Sequence, residues 1–203
     1  MARLRIALRI ALFGGTFNPI HNAHLTIARQ VAQKFRLDRV MLIPAGNPPH
    51  KQDQIAPYEH RLRMVQLACA EDPVLIASDL ERGTQRSYSI LTVQKVLAQQ
   101  GVQQPLFFVI GSDAFAELPT WYRWQELIQL VQFIVVCRPG FPLMAIPGAA
   151  VHLLPSIRMP ISSTDLRRRL ACGERPELEL PPPVLDYIRQ HGLYLHPQPD
   201  EAR

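Results

Sequence analysis

The stretch FGGTFNPIHNAHL, Phe13 to Leu25, closes a short apolar run and opens a helical pattern. Its glycine pair and its proline read as a tight turn between a buried strand, Ile10–Phe13, and a helix over His24–Phe35. The same alternation continues outward. Apolar, β-branched runs at Val40–Ile43, Val74–Ala77, Leu106–Ile110, Phe133–Val136 and Val151–Leu154 predict strands. Helical spacing predicts helices over Tyr58–Ala70, Ile90–Gln99, Trp124–Leu130, Ser163–Ala171 and Pro182–Gln190. Short apolar strands with helices between them imply a parallel sheet covered on both faces, a doubly wound α/β fold. A small helical C-terminal piece is expected to follow it. Residues 1–203 read as a single domain, with 1–8 as an N-terminal extension because RIAL occurs twice there, and 161–196 as the phosphate-binding and helical C-terminal part.

In open parallel sheets a ligand settles beyond the carboxyl ends of the strands. Gly14 and Gly15 stand at such an end, where the backbone can approach an anion with its N–H groups. A glycine pair also serves any tight turn. Neither the Lys-Ser/Thr of a Walker loop nor the third glycine of a dinucleotide fingerprint is present. His21 and His24, three apart at a helix start, would share a face. Two imidazole donors there could hold a phosphate chain while its charge redistributes in a transition state. Structural or capping contacts are the alternative for such a pair. A metal pair is disfavoured, since the HExxH spacing and nearby cysteine ligands are missing.

Two further basic elements can join them. ISSTDLRRRL, Ile161–Leu170, offers Ser162, Ser163 and Thr164 as helix caps, with free amides and Arg167 on the first turns. An ordinary capped helix with a solvated basic face would look the same. PPHK places His50 and Lys51 on a proline-stiffened loop after a strand, either over bound phosphates or simply at the surface. No GxSxG, cysteine–histidine signature or paired catalytic carboxylates accompany these elements. Phosphate ligands without a protein nucleophile suit direct phosphoryl or nucleotidyl transfer, which works by positioning and electrostatics.

Composition narrows the setting. The chain has 203 residues, 47% of them hydrophobic, and a net charge of +5 that favours an anionic partner. Three scattered cysteines, Cys69, Cys137 and Cys172, argue against a disulfide framework or structural zinc and for a reducing cytoplasm. Arg5 and Arg9 interrupt the first apolar segment, so neither a signal peptide nor a membrane partner is expected.

GGTFNPIHNAH resembles the (H/T)xGH region of nucleotidyltransferases, and ISSTDLR resembles their late ISSTxxR motif. NPPHK, SYSILTV, GSDAFAELPTWYRW, VVCRPG and LPPPVLDYIRQHGLYL follow in family order over Phe13–Leu195. With them, the chain resembles the bacterial nicotinate-nucleotide adenylyltransferase family. The resemblance implies a Rossmann-like nucleotidyltransferase fold. It implies that ATP and nicotinate mononucleotide react to deamido-NAD and pyrophosphate, with Mg²⁺ accompanying ATP and no tightly bound cofactor. It casts His21, His24 and Arg167 as catalytic, with no metal held by the protein. Gly14, Gly15, Phe17, Lys51, Asp113, Ser163 and Thr164 would meet ATP. Ser89, Trp121, Tyr122 and Asp113 would meet the nicotinate nucleotide, with Trp121 stacked on the pyridine ring. Trp124 fits the core side of the following helix instead, and Arg168 and Arg169 are expected to point away from the site. Three positions depart from the family's usual form: Ala23 for glycine, Ser89 for threonine and Leu91 for aspartate.

Other readings stay in view. An adenylyltransferase acting on nicotinamide mononucleotide or phosphopantetheine would share the fold, although the Trp121 segment disfavours pantetheine. A non-catalytic RNA-binding protein could use the basic charge, but no RNP-like aromatic strip supports a nucleic-acid partner. Self-association is left open by the sequence.

Overall fold

The computed structural model describes residues 8–47, 55–100, 105–138, 140, 144–155 and 159–195. Six parallel strands, β1 (Ile10–Gly15), β2 (Arg39–Pro44), β3 (Leu75–Ala77), β4 (Leu106–Gly111), β5 (Val131–Val136) and β6 (Val151–Leu154), form one sheet in the order β3-β2-β1-β4-β5-β6. The expected strands are all present, with ends that move by one or two residues. Phe13 lies beside Leu42 on one side and Val109 on the other, so β1 is central. The chain winds outward from β1 in both directions, and the order reverses between β1 and β4. That reversal opens a crevice at the carboxyl ends of these strands.

Alternation along the strands divides the core into two layers. Ala11 and Phe13 of β1 face one layer and Ile10 and Leu12 the other, and all four are buried. The first layer holds α1 (Asn22–Phe35) and α2 (Tyr58–Cys69), together with α6 (Ser163–Ala171) and α7 (Pro182–Gln190). The second holds α3 (Ser89–Gln100), α4 (Ser112–Ala116) and α5 (Trp124–Leu130), with a 3-10 turn at Leu118–Thr120. Truncating fully buried Leu12 to alanine would cost about 2–5 kcal/mol, the lost transfer energy plus a cavity. The C-terminal helices are part of the first layer: Leu166, Leu170, Val184 and Ile188 pack into the same core as α1. The sequence reading contained neither α4 nor the 3-10 turn, because segments of five and three residues are too short to show a period.

The local chemistry of β1–α1 explains why the turn stands at the crevice. A Cβ on Gly14 would meet nothing within 4 Å, so its backbone lies open. A Cβ on Gly15 would press on the Phe17 ring at 3.1 Å. Phe17 itself takes a left-handed backbone (φ 45°) and is buried. Helix α1 begins two residues earlier than expected, with extended His21 at its cap, and ends at left-handed Arg36. No helix among the described residues is long and apolar enough to cross a membrane.

Candidate active site

The crevice is built from strand ends. Gly14–Gly15 end β1, Ser112 and Asp113 follow β4, and Arg138 follows β5. His21 and His24 stand on the first turn of α1, their rings stacked with centroids 3.7 Å apart. Phe17 meets the His24 ring edge-on at 5.0 Å, so a buried aromatic side chain holds the imidazole in place. A contact from Phe17 to a nucleotide would therefore come from its backbone.

Tautomer and charge of the pair follow from their surroundings. The His21 N–H donates to His24 Nδ1 at 3.3 Å, which leaves the ring proton of a neutral His24 on Nε2. Loss of hydration first, and the Arg138 guanidinium second, together lower the His21 pKa to about 4. The His24 pKa is also well below the ordinary value, first through burial, then through His21 and Arg138. Both rings are neutral donors at pH 7 until anions arrive. His21 Nδ1 and Asp113 Oδ1 are buried without a hydrogen-bond partner among the described residues. Polar atoms sealed in this way are costly unless a ligand or water completes them.

Helix α6 packs against the histidine turn. Ser162 caps it by accepting from the Asp165 N–H at 3.1 Å. Ser163 Oγ donates to the Pro19 carbonyl at 3.0 Å, and Arg167 Nη1 donates to the Asn18 carbonyl at 3.0 Å. Arg167 Nη2 reaches Thr164 Oγ1 at 3.4 Å, and Thr164 is exposed. Residues about 150 positions apart in sequence thus meet beside the histidines. Tyr194 adds a hydrogen bond to Asn18 Oδ1 at 2.7 Å. Arg168 pairs with Asp165, whereas Arg169 binds Glu174 and Glu179. The Glu179 carbonyl in turn accepts the Asn22 N–H at 2.8 Å, so Arg169 braces the segment against the start of α1.

A second, aromatic cluster lies on the other core layer. Ser89 opens α3 and is half-buried. The rings of Tyr88 and Tyr122 lie 4.6 Å apart and join the Ser89 and Trp121 segments. Trp121 is half-buried, with its ring against Phe108 at 6.4 Å. Tyr122 is 51% exposed. Trp124 packs on the same core layer, as its helix spacing predicts. Leu91 is exposed and lines a cavity of about 550 Å³ with Glu81, Tyr88, Thr92 and Lys95. Ala23 is buried in the first turn of α1.

Asp113 pairs with Arg138 Nη1 at 2.9 Å through Oδ2, which leaves Oδ1 without a partner among the described residues. Lys51 and His50 lie outside the described residues. Sequence reasoning gave no role to Arg138, whose signal is its place in VVCRPG at the end of a buried strand. The Arg138 N–H donates to Ser112 Oγ at 3.0 Å, which fastens this cation beside α4.

Known proteins resemble the chain over nearly all their length. The family model described as cytidylyltransferase-like matches residues 12–169. A relative from Solibacter usitatus is 49% identical over 92% of this chain and all of its own. One from Roseiflexus is 42% identical over 91% of this chain and 97% of its own, and one from Thermus thermophilus 41% over 92% and 100%. Each is named a probable nicotinate-nucleotide adenylyltransferase. Among solved structures, a Plasmodium falciparum nicotinic acid mononucleotide adenylyltransferase complexed with NaAD superposes with a TM-score of 0.79. It is 18% identical and covers 92% of this chain and 97% of its own, a likeness of fold.

Proposed function

Because this chain belongs to the nicotinate-nucleotide adenylyltransferase family, we propose that it transfers AMP from ATP to nicotinate mononucleotide, giving deamido-NAD and pyrophosphate. One observation carries the reading to particular residues: α6 brings Ser163 and Arg167 onto Asn18–Pro19, beside the stacked histidines. A phosphate oxygen of the mononucleotide attacks the α-phosphorus of ATP. The new P–O bond forms as the bond to the β-phosphate oxygen breaks, and pyrophosphate leaves. The attacking phosphate is already ionised, so the protein needs no general base.

The protein's task is then to hold two anions together and to accommodate moving charge. Neutral His24 offers an Nε2–H donor to the phosphate chain, and His21 stands stacked against it. The open backbone at Gly14 lets the phosphates approach. Arg167 supplies a planar cation that can engage two oxygens at once, and Ser163 and Thr164 add hydroxyls at the positive end of α6. Lys51 would assist. As phosphates bind, their charge opposes the effect of Arg138 and raises the proton affinity of both rings.

A divalent ion fits this site as a companion of the triphosphate. The donors near the histidines are N–H and O–H groups suited to phosphate oxygens, and no group of three His, Cys, Asp or Glu converges among the described residues. Mg²⁺ would neutralise charge on the phosphate oxygens.

At the far end, Trp121 would stack on the pyridine ring and Ser89 would donate to the nicotinate carboxylate. Pyrophosphate release from ATP, measured with nicotinate and nicotinamide mononucleotides in turn, tests the assignment. Release with the nicotinate form is expected. Turnover of neither compound would overturn it.

A further inference from the structure

We propose that Arg61 and Glu81 are positioning residues that clamp Gly46 from opposite sides and so fix the spacing between the phosphate turn and the helix on the acceptor side. This inference rests on the adenylyl-transfer reading above. Arg61, on α2, is only 2% exposed. Its guanidinium donates to three carbonyls, those of Ala56 and Thr16 at 2.9 Å each and that of Gly46 at 3.4 Å. The Tyr58 ring covers it at 5.5 Å. Among the described residues Arg61 forms no ion pair.

Glu81, in the loop after β3, is buried as well. One carboxylate oxygen accepts the Gly46 N–H at 3.0 Å, and the other accepts the Thr92 hydroxyl of α3 at 2.7 Å. The cation thus holds the carbonyl side of Gly46 and the anion its amide side, both through charge-assisted bonds. Gly46 leaves no slack between them. A Cβ there would collide with the Glu81 carbonyl and Thr84 Oγ1.

The placement of this chain of contacts points beyond stability. Thr16 directly follows the glycine pair, Gly46 lies just past β2, and Thr92 sits one turn into the helix that Ser89 begins. Two buried charged side chains are an expensive way to fill space, since apolar side chains of similar volume commonly stabilise as well or better. What the pair supplies is register. Four hydrogen bonds, Thr16–Arg61, Arg61–Gly46, Gly46–Glu81 and Glu81–Thr92, tie the turn meeting ATP to the helix meeting the acceptor, across the mouth of β2. In-line attack is sensitive to displacements near 1 Å, so a loosened clamp would slow chemistry before it weakened the binding of either substrate.

The experiment compares the wild-type protein with Arg61→Lys, Glu81→Gln, Thr92→Val and the Arg61→Lys/Glu81→Gln double variant. Pyrophosphate release gives kcat and each KM, circular dichroism confirms folding, and amide hydrogen exchange reports on Gly46. Folded variants are expected to lose about tenfold or more in kcat while KM for ATP changes less than about threefold. The double variant should be no slower than the worse single one, because both act through one glycine. Exchange at the Gly46 amide should accelerate in every variant. If Arg61→Lys fails to fold, Glu81→Gln combined with Thr92→Val carries the same comparison. A kcat within about twofold of wild type in folded variants, or losses that multiply, would overturn the clamp. Wild-type protein inactive with every mononucleotide would overturn the adenylyl-transfer reading instead, and exchange at Gly46 would still decide whether the clamp exists.

Discussion

On the proposed reading, the contacts at the phosphate end are polar and span about 150 residues, whereas those at the acceptor end are aromatic and join segments about 34 residues apart. His21, His24, Ser163 and Arg167 are held by hydrogen bonds to the backbone of residues 18–21 and by ring stacking. Ser89, Trp121 and Tyr122 are held by a tyrosine pair and by packing on the second core layer. The difference corresponds to two tasks. Charge stabilisation needs donors fixed before the substrate arrives, whereas recognition of a flat ring needs a surface with a few well-placed polar groups.

Substitutions at the two ends should therefore fail in different ways. The largest effect is expected for His24→Ala, about 10²–10³-fold in kcat with the fold intact, the usual loss for one transition-state donor. Stopped assays on the folded variant check this, and near-wild-type turnover would reduce the stacked pair to a helix cap. Arg167→Lys should follow, with a loss of about 10-fold or more, because lysine cannot reproduce the planar fork. Arg168→Ala should retain activity. Arg169→Ala should show its effect in the melting temperature, given its pairs with Glu174 and Glu179. Equal losses at all three positions would mean that charge alone matters at the phosphate end.

The acceptor end should separate binding from chemistry. Trp121→Ala is expected to raise KM for the mononucleotide about tenfold while KM for ATP barely moves. Nicotinate mononucleotide should be preferred over the nicotinamide form by at least about tenfold in kcat/KM, about 1.4 kcal/mol, because an amide NH₂ would face donors unpaired. Parallel kinetics with both compounds would reveal either failure.

The smallest effect concerns stability. The folded-state pKa of His21 is about 4 against an ordinary 6.5, so between these values the unfolded chain binds more protons than the folded one. His21 and His24 both shift in this direction. Their contribution is complete above pH 6.5 and is lost as pH falls toward 4, at no more than about 1.4 kcal/mol per pH unit for each ring. Thermal melts from pH 7 to pH 5 should show the decline, and His21→Asn should flatten it. An unchanged slope in that variant would place the acid sensitivity elsewhere.

Much of the fold was legible because buried parallel strands leave continuous apolar runs, and Phe13 to Leu25 marks the first strand–turn–helix junction. The meeting of the histidine turn with α6 was legible because its residues cluster in two short motifs. Arg61 was not. In sequence it resembles Arg63, two positions on, yet Arg63 is exposed and Arg61 is sealed. The available signal was spacing: Arg61 lies four residues before Val65, on the stripe of α2 that faces the core. Arg138 and Asp113 stand 25 positions apart, and only the β4–β5 pairing brings them together.

The bond from Arg167 to the Asn18 carbonyl spans 149 residues, and this has a consequence for synthesis. At ribosomal speeds of about 5–20 residues per second, roughly 7–30 s separate the emergence of its two partners. For the first part of that interval β1 also lacks β4 (Leu106–Gly111), its neighbour on one side. A nascent chain therefore carries the histidine turn long before α6 can dock against it. Such long-range closure is slow to fold, and it means that the surroundings of the histidine turn are completed only after α6 has been made.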